Sequence, residues 1–384
     1  MREEGERKVA FHSYLYNMKE REFINKYGIF SSIVVTIIGV GVFSYPRDLT
    51  ELIGSDGWFV TLLGGFISWI LLYLIYKVVK INNYNNFYGI LHNNLGGILG
   101  KIFAVIFVAF NIFSIALGMR VFSEVIKMYL LLRTPTEFIL MIMILTGVYL
   151  VRSGLDVLIR FNEISFWIMF IPIIFVLLAA AKGAEFTNVL PVFNNKFEDY
   201  IKAVGTTIYA FTGYQIAYLL IPSAKEKEKM PKIIFKSIVF VSVFYAVITI
   251  MALAIFSKKE TSNLLWPTIT MIKSIDIPGT FIERWEGVVM ALWVIFYFTT
   301  FVNGYYFSSD IIKHAFKLED IKISSLLIMP FIYLIALYPE NVSELYQVST
   351  KSNYTLANFA LIILPIALLI ISAIKQKRGC KDEV

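Results

Sequence analysis

Ile37-Ile38-Gly39-Val40-Gly41-Val42-Phe43-Ser44-Tyr45-Pro46 interrupts the first long apolar run of the chain, which begins near Tyr27. Two glycines one residue apart, followed by a proline, are poor material for the interior of a continuous helix. Within a bilayer such a break is tolerated only where the freed backbone groups face protein, water or a ligand. In secondary-transporter folds a helix broken near mid-membrane is the best sequence pointer to the binding site. The same glycines would serve equally as the small residues of a helix–helix contact. The stretch alone leaves both roles open.

The surrounding composition settles the solvent. Of 384 residues, 58% are hydrophobic and 16% charged, against about 25% charged in a soluble domain. The chain therefore reads as a polytopic membrane protein. Its net charge of +7 needs no nucleic acid, because cytoplasmic loops of membrane proteins collect Lys and Arg. The lone cysteine, Cys380, and the three histidines, His12, His92 and His314, fall in tails or loops. No internal disulfide or cysteine metal cluster is therefore expected. Residues 1–26 are too polar and mixed in charge for a signal peptide.

Apolar runs of roughly 17–25 residues are the unit to count. Ten are present, at about 27–54, 58–79, 101–131, 136–152, 162–181, 201–222, 233–256, 283–308, 323–338 and 355–374. With the N-terminus inside, the cytoplasmic segments hold 23 Lys and Arg and the outer segments 11, with Arg120 inside a run. That bias predicts both termini in the cytoplasm. The domain organisation is then a tail over 1–26, a membrane domain over 27–376 and a tail over 377–384.

The sixth run repeats the feature of the first. Its Phe211-Thr212-Gly213-Tyr214 places a glycine among polar groups that include Thr206, Thr207 and Gln215. Interruptions five helices apart are what an inverted-topology repeat predicts, here with halves at about 27–182 and 200–376. An odd number of helices per half makes the second half enter from the opposite face. The expected fold is all-α, with ten transmembrane helices in a 5+5 inverted repeat whose first and sixth helices are broken.

At the first break the free groups are the carbonyls around Ile38 and Val40 and the N–H groups from Gly41 through Val42 to Phe43. A half-helix starting there aims its positive end at an anion such as a carboxylate. Gly39 and Gly41 let a ligand approach without a Cβ in the way. In the eighth run Glu283 and Glu286 suit a helix start. Deeper in that run, Thr299 and Thr300 either back-bond to their own helix or reach a ligand, and the residues alone favour back-bonding. Arg120 and Glu124 are four apart on one helical face, placed for mutual pairing or for reaching the outer surface. Pro172, Pro330 and Pro365 are candidate kinks. Neither a Walker phosphate loop nor an H-E-x-x-H pair occurs. No enzyme, cofactor or metal is expected.

These residues are also where the chain resembles a known family, the spore germination permeases. Those are the B subunits (GerAB type) of endospore nutrient-germinant receptors, within the amino acid–polyamine–organocation superfamily. Three stretches carry the resemblance: Ile38 to Pro46 with Asp48-Leu49 and Gly57-Trp58, Thr187-Asn188-Val189-Leu190-Pro191-Val192 leading into Phe211 to Tyr214, and Ile282 to Glu286 through Trp293 to Thr300. It implies a LeuT-like fold and a pocket between helices 1, 3, 6 and 8 that senses an L-amino acid or similar small nutrient. By matching motif the contacts would be Gly39 and Gly41, the Phe211–Tyr214 break, and Thr299 and Thr300. On the third helix Gly118 or Phe122 is the expected contact, and Phe43, Tyr45, Phe211, Tyr214 and Tyr297 would shape the pocket. The implied partners are an A subunit and a lipoprotein C subunit in the spore inner membrane. A sodium- or proton-coupled transporter is the competing expectation. A sodium site would use oxygens where helices 1 and 8 meet. A proton-coupled relative can carry a Lys on helix 5, and the fifth run here has none.

Overall fold

The computed structural model describes residues 23–274 and 285–379, and its regular structure is helical throughout. Among the described residues, five helical stretches are long and apolar enough to cross a membrane: Gly41–Ile81, Gly97–Tyr129, Leu155–Gly183, Lys227–Asn263 and Leu356–Lys377. Two shorter apolar helices, Lys26–Ile37 and Ile321–Leu337, accompany them.

The first run is two helices, α1 (Lys26–Ile37) and α2 (Gly41–Ile53), separated at Ile38–Val40. Asn25 caps α1 by accepting from the Gly28 amide at 2.7 Å. Pro46 lies inside α2 and has no N–H for the Val42 carbonyl. Thr268 supplies the missing donor at 2.7 Å, from the short helix α11 (Pro267–Lys273). A proline in α2 thus fixes where α11 docks.

Between these lie α3 (Gly57–Ile81), the short α4 (Phe87–Leu95), α5 (Gly97–Tyr129), α6 (Thr136–Arg152) and α7 (Leu155–Ala180). The sixth run is again divided. Helix α8 (Phe197–Ala210) ends at Phe211, and a 3₁₀ turn over Tyr214–Ile216 leads into α9 (Ala217–Leu220). Helix α10 (Met230–Asn263) contains a kink at Ser257 (φ 62°). The chain continues through α12 (Trp285–Ala315), α13 (Ile321–Leu337) and α14 (Val342–Ser352), then a π-helical stretch at Asn353–Ile363, to α15 (Leu364–Gly379). Glu283, Arg284, Cys380 and the side chain of Glu286 lie outside the described residues. Helices α4, α11 and α14 are absent from the ten apolar runs because they are too short or too polar to register as one.

One hydrophobic core joins these elements, with α10 lying along α2 and α3 and α12 along α5. Buried Asp56, at the α2–α3 junction, accepts from the Phe193 amide (2.6 Å), Asn195 (2.7 Å) and Tyr200 (2.6 Å). This ties the loop before α8 to the end of α2. At the opposite end Lys229 and Lys26 (2.8 Å) hold the Glu226 carboxylate below its usual range and join α1 to the start of α10. Arg120 reaches Glu124 at 3.3 Å and the Glu340 carbonyl at 3.3 Å, so it serves pairing within the bundle. Pro172 and Pro330 lie within α7 and α13, and Pro365 at the start of α15.

Candidate functional site: a cavity between two broken helices

The two breaks face each other. Gly213 has φ 124°, a conformation open to glycine and strained for other residues. A Cβ built there would lie 2.8 Å from the Thr36 carbonyl oxygen, so the second break is seated directly on the last turn of α1. Gln215 folds back to accept from the Gly213 amide at 2.8 Å, which fixes the turn.

Two of the carbonyls ending α1, those of Val35 and Ile37, take side-chain donors. Thr299 (3.1 Å) and Thr300 (3.2 Å) both donate to the Val35 carbonyl. Both threonines also back-bond within α12, to Phe296 at 3.0 and 3.4 Å. Tyr245 of α10 donates to the Ile37 carbonyl at 3.3 Å. The Thr36 hydroxyl accepts from Asn303 at 2.8 Å. Asn303 exchanges hydrogen bonds with Asn162 of α7 (2.9 and 3.2 Å), and Asn162 donates to Ser32 at 3.0 Å. All of these side chains but the partly buried Thr300 are buried. The junction of α1, α7 and α12 is closed by two amides.

The start of α2 differs. No side chain caps it, and among the described residues the Val40 and Gly41 amides find no backbone acceptor. Gly41 borders a cavity of about 860 Å³, and a Cβ added to it meets nothing within 4 Å. Two amide donors at a helix start, opening on this cavity, form an anion-accepting corner.

Of the residues expected from sequence, Gly39, Val40, Gly41, Gly118, Thr212, Gly213, Tyr297 and Thr300 border this cavity, as does Tyr45. Val42, Phe43, Phe122, Phe211, Tyr214 and Thr299 do not; they are buried behind its wall. Phe43 stacks on Trp293 with centroids 4.9 Å apart, and Phe122 lies against Tyr297 at 5.4 Å. Tyr214 donates to the Leu361 carbonyl at 2.9 Å. Gly39 and Gly118 are close-approach positions as well as lining. An added Cβ would meet Thr300 Oγ1 at 2.9 Å in the first case and the Tyr297 ring at 2.8 Å in the second. Tyr297 donates to the Ile115 carbonyl and so stands fixed against α5 at the cavity wall.

The cavity also brings in residues the sequence reading passed over. Asn111 of α5 accepts from Gln215 at 3.2 Å, yet its own Nδ2 has no partner although the residue is 2% exposed. A buried donor without an acceptor is costly, and this one borders the cavity. Arg47 and Asp48 are the two charged residues in the lining and pair at 2.7 Å. Arg47 also donates to the Leu265 carbonyl (3.1 Å) and lies over the Tyr346 ring (5.1 Å). It thus joins α2 to α14 at the cavity edge. Mid-helix Asn111 carried a signal, since a polar group in a long apolar run seldom stands there without a partner.

Long apolar helices, with two broken helices meeting at a cavity between them, define an integral membrane protein with a transporter-type fold. A similar fold is found in a Na+-coupled sialic acid symporter solved in a substrate-bound outward-open state (TM-score 0.67, 11% identity, 90% of this chain and 79% of that one). It is also found in Mhp1, a nucleobase-cation-symport-1 family transporter in a closed conformation with bromovinylhydantoin bound (TM-score 0.65, 13% identity, 91% and 78%). The family profile described as "Spore germination protein" matches residues 23–345, and the chain belongs to that spore permease family. Relatives include the spore germination proteins YndE (29% identity over 91% of this chain and 96% of that one) and A2 (26%, 92% and 96%) of Bacillus subtilis strain 168. GerQB of Bacillus cereus is 25% identical over 92% of this chain and 98% of its own length.

Proposed function

We propose that this chain is the B-type subunit of a spore nutrient-germinant receptor, a sensor rather than an enzyme. It binds an L-amino acid or similar small nutrient between α1/α2, α5, α8/α9 and α12, and so triggers germination. In this reading the chain crosses the membrane ten times in two inverted halves, with both termini cytoplasmic, beside an A subunit and a lipoprotein C subunit. The observation that carries it is the uncapped start of α2 opening on a cavity in a member of this family. The two charged lining residues pair with each other, which favours a ligand without net charge, such as a zwitterion. Its carboxylate would take the Val40 and Gly41 amides, and the Asn111 amide a further acceptor. Binding acts as a signal only if the ligand prefers one of two conformations.

A cation-coupled transporter is the second reading, favoured by the oxygens of Val35, Thr299 and Thr300 where α1 meets α12. Against it, those oxygens already share hydroxyl protons, and the Asn162–Asn303 pair closes the same junction. The test is ligand-dependent thermal stabilisation of the purified protein against a panel of L-amino acids, nucleosides and sugars. Stabilisation unchanged when potassium replaces sodium supports the sensor. A sodium requirement, or uptake into proteoliposomes, supports the transporter.

A further inference from the structure

A second cavity, of about 650 Å³, opens on the flank of the bundle, away from the central one. One wall is the first turns of α5 with Ile98, Lys101 and Ile102. The other is Phe316 and Lys317, where the chain leaves α12, and Tyr88 of α4 closes the end. The apolar part of this groove is open: Ile98 is 80% exposed, and Ile102 and Phe316 are both 48% exposed.

Two cations converge on this apolar groove from different elements. Lys101 Nζ lies 4.3 Å from the centroid of the Phe316 ring. Lys317 stands in the left-handed region (φ 54°) that closes α12, with the Leu318 amide reaching back to the Lys313 carbonyl at 2.9 Å. Glycine is the favoured residue there, so a lysine keeps its side chain at some conformational cost. Among the described residues neither ammonium has a carboxylate within ion-pair distance. Asp310 pairs instead with His314 and Asp320 with Lys322, both at 3.5 Å, and exposed Glu319 reaches neither ammonium within ion-pair distance.

We propose that this groove binds an anionic phospholipid, its phosphate held between Lys101 and Lys317 and an acyl chain lying along Ile102, Val105 and Ile106. The charge complementarity calls for an anion, and basic pockets between membrane helices take up such headgroups. The apolar wall running from the lysines along α5 selects a lipid over a free phosphate. This site is separate from the nutrient cavity and stands whatever that cavity binds.

The experiment titrates the purified full-length chain with phosphatidylglycerol or phosphatidylcholine, reading bound lipid by native mass spectrometry. Phosphatidylglycerol is expected to be retained preferentially. A near-surface lysine contributes on the order of a five-fold factor in affinity for anionic lipid. The K101Q/K317Q variant should therefore lose roughly 25-fold. K232Q/K236Q removes the same charge from exposed positions on α10 and should leave retention unchanged. Equal loss in both variants, no preference between the lipids, or displacement by excess inorganic phosphate would each overturn the assignment.

Discussion

Gly39 and Gly41 stand two residues apart in the same break, yet the structure gives them opposite roles, and alanine at each separates those roles. At Gly41 the new methyl meets nothing within 4 Å. Gly41→Ala should therefore leave the melting temperature unchanged or slightly raised, since alanine is the better helix former. The methyl would stand in the cavity beside the free amides of α2 and hold a carboxylate away from them. A hydrogen bond to a charged group contributes about 1.5–3 kcal/mol, so affinity should fall about ten- to a hundredfold. For a ligand present at about 100 times its Kd, stabilisation of about 2.7 kcal/mol then shrinks to roughly 0.9 kcal/mol after a thirty-fold loss. At Gly39 the methyl would lie 2.9 Å from Thr300 Oγ1, so α1 must shift against α12. That overpacking costs about 1–3 kcal/mol without any ligand present. The assay is thermal unfolding of both variants with and without the stabilising ligand. If Gly41→Ala unfolds as early as Gly39→Ala, or keeps the whole ligand-dependent shift, the assignment of the α2 amides to the ligand is refuted.

Three further outcomes follow from individual side chains. Asn111→Leu removes a buried donor that has no partner together with the acceptor of the Gln215 amide, so it should weaken ligand-dependent stabilisation about ten-fold or more while costing about 1–3 kcal/mol of stability without ligand; a ligand-dependent shift kept in full would count against a ligand-facing Asn111. Asn303→Leu removes the donor to the Asn162 carbonyl oxygen and to the Thr36 hydroxyl, both buried, and should cost about 1–3 kcal/mol in chemical unfolding; an unaltered transition would mean the amide pair is not closed as described. Asp56→Asn replaces an acceptor of three hydrogen bonds with a group that turns an NH₂ toward at least one donor, and should lower stability by about 2–3 kcal/mol. Limited proteolysis between residues 183 and 196 reads that change directly, and unchanged cleavage there would contradict the tether.

Both breaks were legible from glycine and proline in otherwise apolar runs, because a membrane leaves so few ways to satisfy an interrupted backbone. The aromatic residues were less legible. Phe43, Phe211 and Tyr214 sit beside the breaks in sequence, and proximity suggests a pocket. In three dimensions these rings fill the space behind an interrupted helix, since each buries about 150–250 Å², and of the expected aromatics only Tyr45 and Tyr297 reach the cavity. The threonines of α12 show a different limit. Sequence offered back-bonding or a ligand, and the structure has each hydroxyl bonded within α12 and also to Val35 of α1. Which helix lies opposite is tertiary information. Asn111 and Asn162 each stand out as the one amide in a long apolar helix, but a lone amide gives no spacing from which to read its partner. Arg47, one of the 11 cations assigned to the outer segments, turns its guanidinium over Tyr346 at the cavity edge.

The two breaks are not equivalent, and their difference bears on how binding is transmitted. The second is locked: Gly213 rests on the Thr36 carbonyl, and Gln215 holds its amide. The first is locked on one side only, for the Val35 and Ile37 carbonyls ending α1 are taken by α12 and α10 while the amides starting α2 are free. A ligand bound at those amides therefore acts on α2. Through Arg47 and Thr268, α2 is joined to the segment carrying Leu265, to α11 and to Tyr346 of α14. A cation at the α1–α12 junction would first have to displace hydroxyl and amide protons that are already satisfied. The path of least reorganisation runs outward from α2 to α11 and α14, and leaves α1 where its side-chain partners hold it.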